Sequence, residues 1–179
     1  MLEKIERDLA RDGEEARDEL DDAFGRFERA QPLLAEHVGE VLSHPLDETA
    51  LALGYFLSIS IWLAFERTFP GRLREVDGDA LEATEAAIVL EEELHQQRSR
   101  EPFDAEEILR SAQPRLFAFV HEHVTVALEM VPRRSSPHGV DIRDVELVRR
   151  SVVVLTLALS HAVRSVPGQR GSDPPEMLA

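Results

Sequence analysis

The chain has 179 residues, of which 43% are hydrophobic, and this composition is typical of one globular domain with its own core. Cysteine is absent, which excludes disulfides, thiolate nucleophiles and thiolate metal sites. The formal net charge of −15 at pH 7 repels phosphate backbones and anionic lipid surfaces at long range. We therefore expect a protein that binds neither nucleic acid nor a membrane.

Residue usage and the N-terminal segment give two expectations about source and location. Lys4 is the only lysine, while arginine and alanine are abundant, as in proteins encoded by GC-rich genomes. We therefore expect a bacterial protein. No basic segment followed by an apolar run precedes the first predicted helix, so no signal peptide is predicted and a cytoplasmic location is expected.

The first two predicted helices follow from apolar spacing and from one proline. Apolar residues recur at intervals of three and four between Leu2 and Phe27, which predicts an amphipathic helix with an acidic outer face. Gly13 is a candidate break in this helix. Pro32 marks the start of a second helix, because proline is tolerated in a first turn and disrupts an interior.

A long uncharged segment predicts the centre of the fold. No charged residue lies between Glu48 and Glu66, and the apolar residues surround the helix on all sides, so we predict a buried central helix over 46–68. Two alternatives stay open. The segment is barely long enough to span a membrane, and leucine and isoleucine alternate with Ser58 and Ser60 as in a strand.

Capping and proline signals predict the remaining helices. Asp79 with Glu82 forms a capping box, which predicts a helix from Ala80 toward Gln97. The later helices are predicted to begin near Asp104, Pro114 and Asp141. The sequence therefore predicts an all-α fold, a single-domain helical bundle of about six to seven helices over 1–166, followed by a flexible C-terminal tail over 167–179.

Repeated short motifs suggest an internal duplication. The tripeptide Ala-Gln-Pro at 30–32 recurs at 112–114, and further matches relate residues 22–71 to residues 104–168 in the same order. A duplication predicts two pseudo-symmetric three-helix halves, joined by the helix from Ala80 to Gln97, whose apolar helices pack together. Chance matches between helices of similar composition are the alternative, and the sequence leaves both open.

Glu92 and His95 are the weak candidates for a metal site. Residues three apart share a helix face, and Glu-x-x-His is half of the motif that di-iron carboxylate bundles use twice. No second copy has the required placement, and the neighbouring charges also fit a solvated helix end. His121 and His123 point in different directions around a helix, which counts against a shared ion.

Other ionisable residues are hypotheses of lower weight. The duplication would place His37 and His123 at symmetric positions, facing each other. His161 lies in the apolar final helix, where a buried imidazole needs a hydrogen-bond partner. We expect Glu66 to pair with a nearby arginine, Arg72 or Arg74. A structural role is the alternative for each of these groups.

The sequence contains no phosphate-binding loop, nucleophile elbow or zinc-peptidase motif, so we assign no catalytic residue and no cofactor, and an enzyme is not favoured. The leading hypothesis is a non-catalytic protein-interaction or regulatory module that binds a protein partner or a second copy through an apolar helix face. The alternatives are a small-molecule or metal-binding bundle with converging His and Glu side chains, and a carrier of an apolar ligand near Gly54 and Ser58.

Overall fold

The computed structural model describes residues 14–98, 105–129 and 141–164, and in this part of the chain every regular element is a helix. The predicted all-α bundle is confirmed. The helices are α1 (Glu14–Ala30), α2 (Pro32–Leu42), α3 (Glu48–Thr68), α4 (Gly78–Arg98), α5 (Ala105–Ala112), α6 (Pro114–Glu129) and α7 (Ile142–Ala162). The predicted helical residues before 14 and the predicted tail over 167–179 lie outside the described residues.

The centre of the bundle is the packed pair α3 and α7. Each helix has 21 residues, and side chains are buried all round both of them, at every position of 57–65 and 151–159. Leucine and isoleucine in α3 therefore do not alternate between two faces of a sheet, and the strand alternative is wrong. Helical burial on every side explains why this sequence is apolar without a period.

Within the described residues, α3 is also the helix that is long and apolar enough to span a bilayer. Its most apolar window has a mean hydropathy of 1.5, but 67% of that window is buried against the other helices. A core helix meets the same composition test as a membrane span, so this burial is the distinguishing observation. The predicted role of α3 as the buried central helix is confirmed.

Gly54 lets α3 approach its neighbours closely. A Cβ atom at this position would lie 2.7 Å from Leu42 Cδ2 and 3.2 Å from Val148 Cγ2. The crevice beside Gly54 and Ser58 has no room for a water molecule. The cavity that a carrier of an apolar ligand would need beside these small residues is therefore filled, because leucine and valine side chains occupy the space that the missing Cβ leaves.

The first turns of α3 and α7 are joined by aspartates. The Asp47 side chain accepts a hydrogen bond from Ala50 N–H at 2.9 Å, and the Asp141 side chain accepts one from Arg143 N–H at 2.9 Å. Each aspartate is therefore an N-cap, as predicted for Asp141. The Asp47 N–H in turn donates to Asp144 Oδ2 at 2.8 Å, which ties the two helix starts together.

The last turns of α3 and α7 are joined by backbone. Gly71 adopts a φ of 70°, which turns the chain after α3 and favours glycine. Leu73 then lies opposite Val163 in an isolated antiparallel bridge. Polar contacts thus join the two helix starts at one end of the central pair and the segments that follow the helices at the other, in addition to the apolar packing along their length.

The start of α4 differs from the prediction. Helix α4 begins at Gly78, and the Asp77 side chain accepts a hydrogen bond from Ala80 N–H at 2.9 Å. The Asp79 and Glu82 capping box is therefore wrong, because Asp79 already lies inside the first turn and Asp77 is the residue that caps it.

Several features agree with a duplication. Gln31 and Gln113 are both 2% exposed, and each stands immediately before a proline that begins a helix. The central helices α3 and α7 pack together, as the duplication predicts, and residues 54–67 share their pattern of buried and exposed positions with 148–161. The duplication itself stays a prediction.

Candidate functional site

Helix α4 packs mainly on α7 and leaves a cleft on each side. Ile88 is 1% exposed and Thr84 is 2% exposed, so these residues form the centre of the contact with the bundle. The flanking helices α2 and α5 also pack on α7. We call the two depressions the α2/α4 cleft and the α4/α5 cleft. Ile88 lines both, so the same side chain separates them.

The α2/α4 cleft has a volume of about 310 Å³, which lies within the usual range for small-molecule sites. Most of its wall is aliphatic. Polar groups stand at the edges, where His37 Nδ1 lies 3.2 Å from Glu85 Oε1. The lining residues are His37 and Val41 from α2, Glu85, Ile88 and Val89 from α4, and Leu147, Arg150, Ser151 and Val154 from α7.

A second ion pair adjoins this cleft. Arg150 Nη1 lies 3.1 Å from Glu92 Oε2, with side-chain exposures of 43% and 32%. Water screens a pair that is this exposed, so it contributes little to stability. Its importance is positional, because the pair places a guanidinium and a carboxylate beside an otherwise aliphatic wall.

The imidazole of His37 is only partly satisfied. The Nδ1 atom faces the Glu85 carboxylate, so Nδ1 is the ring atom that donates toward it. The Nε2 atom is buried and has no hydrogen-bond partner. A buried polar atom of this kind is uncommon in folded proteins.

The α4/α5 cleft is larger, with a volume of about 510 Å³. Glu91 and His95 stand one helical turn apart on its α4 side. The remaining lining residues are Ala87, Ile88, Ile108, Ser111 and Leu157. Each cleft therefore contains a histidine and a glutamate, although in different arrangements.

The structure does not assemble a di-iron site from Glu92 and His95. Glu92 pairs with Arg150 beside one cleft, while His95 lines the other. Residues 14–98, 105–129 and 141–164 contain no group of three or more His, Asp or Glu side chains that could hold a metal ion. The further ligands that the half-motif requires are therefore not found in the described residues.

The other histidines lie in separate surroundings. His123 Nδ1 lies 2.9 Å from the Phe119 carbonyl oxygen, and its ring packs on Phe119 and Phe56 with centroids 4.4 Å and 5.0 Å away. His37 contacts Glu85 instead, so the expectation that His37 and His123 face each other is wrong.

Two further expectations about charged residues also differ from the structure. His161 is exposed, because the end of α7 turns this position away from the core. Glu66 lies 3.7 Å from Arg26 Nη2 on α1, and does not pair with the arginines that follow α3. Arg72 instead donates to the Arg164 carbonyl oxygen at 2.8 Å.

The outer face of α4 carries exposed aliphatic side chains between acidic ones. Glu82, Ala86, Val89, Leu90 and Glu93 follow helical spacing along one side of α4, and all are exposed. Leu90 is 55% exposed and Val89 is 43% exposed. We call these residues the α4 outer face. Among the described helices, none covers it.

The sequence alone did not identify Glu85, Arg150 or Leu90 as candidate functional residues. A signal was present, since residues 86–90 are apolar on every side of the helix while only Ile88 is buried. A stripe of apolar residues would have indicated one buried face, whereas this segment has more apolar surface than one contact with the bundle covers.

The chain matches no known protein family, no curated protein and no solved structure. Its function therefore has to be argued from the two clefts and the α4 outer face.

Proposed function

We propose that the protein is a non-catalytic protein-interaction module, and that it binds a basic amphipathic helix of a partner protein on the α4 outer face. The observation that carries this proposal is the exposure of Val89 and Leu90, at 43% and 55%, in the middle of a helix that packs mainly on one neighbour. Aliphatic side chains at helical spacing are the usual anchors for a partner helix.

Charge selects the kind of partner. Glu82 and Glu93 border the aliphatic residues on the outer face, and the whole chain carries a net charge of −15. Two copies of such a chain repel each other, whereas a basic helix is attracted and is then held by apolar contact. A foreign basic helix therefore fits this face better than a second copy does.

A synthetic amphipathic helix made of Leu and Lys is a suitable probe, with a Leu and Glu helix of the same length as its control. Isothermal titration calorimetry should detect binding of the basic peptide and little binding of the acidic one. The Leu90→Gln substitution should lower the affinity for the basic peptide by about tenfold, because it removes an apolar contact worth about 1.4 kcal/mol.

Leu51 provides a matched control, because it is 41% exposed and lies on α3, outside the α4 outer face. The Leu51→Gln variant should bind the basic peptide as the wild type does. Equal weakening by both substitutions, or equal binding of the acidic peptide, would count against the α4 outer face. Sedimentation that shows a dimer lost in Leu90→Gln would replace the foreign partner with a second copy.

A second candidate function is the binding of a small amphipathic cation, and the α2/α4 cleft favours it. The cleft offers about 310 Å³ between aliphatic walls, with the carboxylates of Glu85 and Glu92 and one guanidinium at its edges. The excess of negative charge suits a ligand with an apolar body and an ammonium head.

Titration with n-octylamine and n-octanoate tests this candidate. The amine should bind more tightly by about tenfold, and Glu85→Gln should remove most of that difference. Binding of octanoate at equal strength would show that charge does not select the ligand. Because Leu90 does not line the cleft, Leu90→Gln should leave octylamine binding unchanged, which separates the two functions.

A further inference from the structure

The α4/α5 cleft has no role in the functions proposed above. Its volume of about 510 Å³ lies within the usual range for small-molecule sites, and it is the larger of the two clefts beside α4. Ile88 and Leu157 are buried and form its floor, and Ile108 on α5 packs against the core beside them. The inner part of the cleft is therefore aliphatic and has room for the apolar part of a ligand.

The polar side chains of this cleft stand nearer to solvent. Glu91 and His95 lie one turn apart on α4, and Ser111 lies in the last turn of α5. Glu91 and Ser111 are exposed, whereas His95 is partly buried. A ligand whose apolar part rests on the aliphatic floor therefore meets these three side chains at the mouth of the cleft.

These side chains are mainly hydrogen-bond acceptors. An ionised carboxylate only accepts, and no ion pair joins Glu91 to another residue that the structure describes. Ser111 Oγ donates its proton to Ile108 O at 2.9 Å, which leaves the hydroxyl oxygen to accept from another group. A neutral imidazole at His95 has one acceptor nitrogen and one donor nitrogen. The cleft therefore suits a ligand that carries several donors.

The charge of the cleft favours a cation. No Arg or Lys is among the described residues that line it, whereas Arg150 pairs with Glu92 beside the α2/α4 cleft. Ser111 also stands at the carbonyl end of α5, which carries partial negative charge. A guanidinium group fits better than an ammonium group. It presents N–H donors in a planar fork that matches a carboxylate, and its weaker hydration makes a partly aliphatic cleft less costly to enter.

We propose that the α4/α5 cleft binds a guanidinium group on a short aliphatic stem, as in a free alkylguanidinium compound or an arginine side chain. The stem packs on the aliphatic floor, and the guanidinium donates to the Glu91 carboxylate, with Ser111 Oγ as a second acceptor. This site is separate from the functions proposed above, because neither Leu90 nor Glu85 lines the α4/α5 cleft.

An NMR titration of the labelled full chain with n-butylguanidinium tests the site. The amide resonances of Ala87, Glu91 and Ser111 should shift most strongly and should saturate. The cation n-butylammonium has the same stem and charge, and it should bind about fivefold more weakly because it lacks the planar fork. Glu91→Gln should lower the affinity for n-butylguanidinium by about fivefold as well. Asp79→Asn removes the same charge from an exposed position in the first turn of α4, and it should leave that affinity unchanged.

The comparison of the two cations uses the wild type, so it does not depend on how a variant folds. Equal affinities for them would overturn the proposal, and so would equal weakening by Glu91→Gln and Asp79→Asn, because either result shows attraction by charge alone. Shifts that concentrate outside the cleft would also overturn it. N-acetylarginine amide distinguishes the two sources of the group. Weaker binding than that of n-butylguanidinium supports a free compound as the ligand, and equal or tighter binding supports an arginine side chain.

Discussion

Asp47 Oδ2 accepts a hydrogen bond from the backbone N–H of Asp141 at 2.9 Å. The same carboxylate caps α3 through Ala50 N–H, so one side chain fixes the start of its own helix and the start of α7. Asp141 caps α7 alone, through Arg143 N–H. Both aspartates therefore cap their own helices, but only the Asp47 side chain also binds the start of the other helix.

Removing these two caps should have unequal effects. Asp47→Ala loses a cap and a contact between helices, so we expect the free energy of unfolding to fall by about 2 to 3 kcal/mol. Asp141→Ala loses a cap alone and should cost about 1 kcal/mol. Urea unfolding measures both, and Asp47→Asn, which keeps one acceptor oxygen for the cap and lacks the second one that accepts from Asp141 N–H, should lose part of what Asp47→Ala loses. Equal losses in the two alanine variants would contradict the tie between α3 and α7.

Substitution by alanine should change the stability in opposite directions at two glycines. Gly39 lies inside α2 with nothing within 4 Å of an added Cβ, so Gly39→Ala should stabilise the protein by about 0.5 to 1 kcal/mol. At Gly54 the added Cβ would lie 2.7 Å from Leu42 Cδ2, and the clash should cancel that gain or exceed it. Thermal unfolding compares them, and a full gain at Gly54 would show that α3 and its neighbours are loosely packed there.

Tyr55 should titrate abnormally. Burial, followed by the hydrogen bond to Asp21 and the charges of Asp21 and Glu28, raises the pKa of Tyr55 to about 12. The Tyr55 hydroxyl donates to Asp21 Oδ1 at 3.1 Å. Because Tyr55 is the only tyrosine, ultraviolet absorbance follows its ionisation without overlap from another. The midpoint in the folded protein should be near 12, and Asp21→Asn should lower it.

The same shift has a consequence for stability. The unfolded pKa is 10.0, so the folded state holds the tyrosine proton more tightly than the unfolded state does. The stabilisation is complete below pH 10.0 and is lost as the pH rises toward 12. A midpoint near 10 in protein that circular dichroism shows to be folded would contradict the contact between Tyr55 and Asp21.

Salt should stabilise the fold. The chain has a net charge of −15, so its acidic side chains repel one another in the compact state. Salt screens this repulsion, because the Debye length falls to about 10 Å at 0.1 M salt. The Tm should therefore rise between about 0.05 M and about 0.5 M NaCl. Sucrose at matched water activity separates screening from general solute exclusion. A Tm that falls with NaCl would show that the ion pairs outweigh the repulsion.

Local signals were the ones that sequence could supply. Pro32, Pro114 and Asp141 mark helix starts because a proline or a cap acts within one turn, and the structure confirms all three. The start of α4 could not be settled in this way, because Asp77 and Asp79 are both capable of capping. The choice between them depends on which residue leaves the helical conformation.

The clefts could not be predicted, because they depend on how α4 packs. Arg150 and Glu92 are 58 residues apart in sequence and meet only because α4 lies on α7. The contact between His37 and Glu85 likewise joins two helices that the sequence does not relate. The sequence therefore identified histidines as candidate site residues by residue type alone, whereas tertiary packing determines which side chains contact them.

The most direct test of the proposed function is an NMR titration of isotopically labelled protein with the Leu and Lys peptide. Binding at the α4 outer face should shift the amide resonances of Ala86, Val89 and Leu90 most strongly, and Leu90→Gln should reduce the shifts at a given peptide concentration. Shifts that concentrate elsewhere on the bundle, or that are unchanged in Leu90→Gln, would contradict binding at this face.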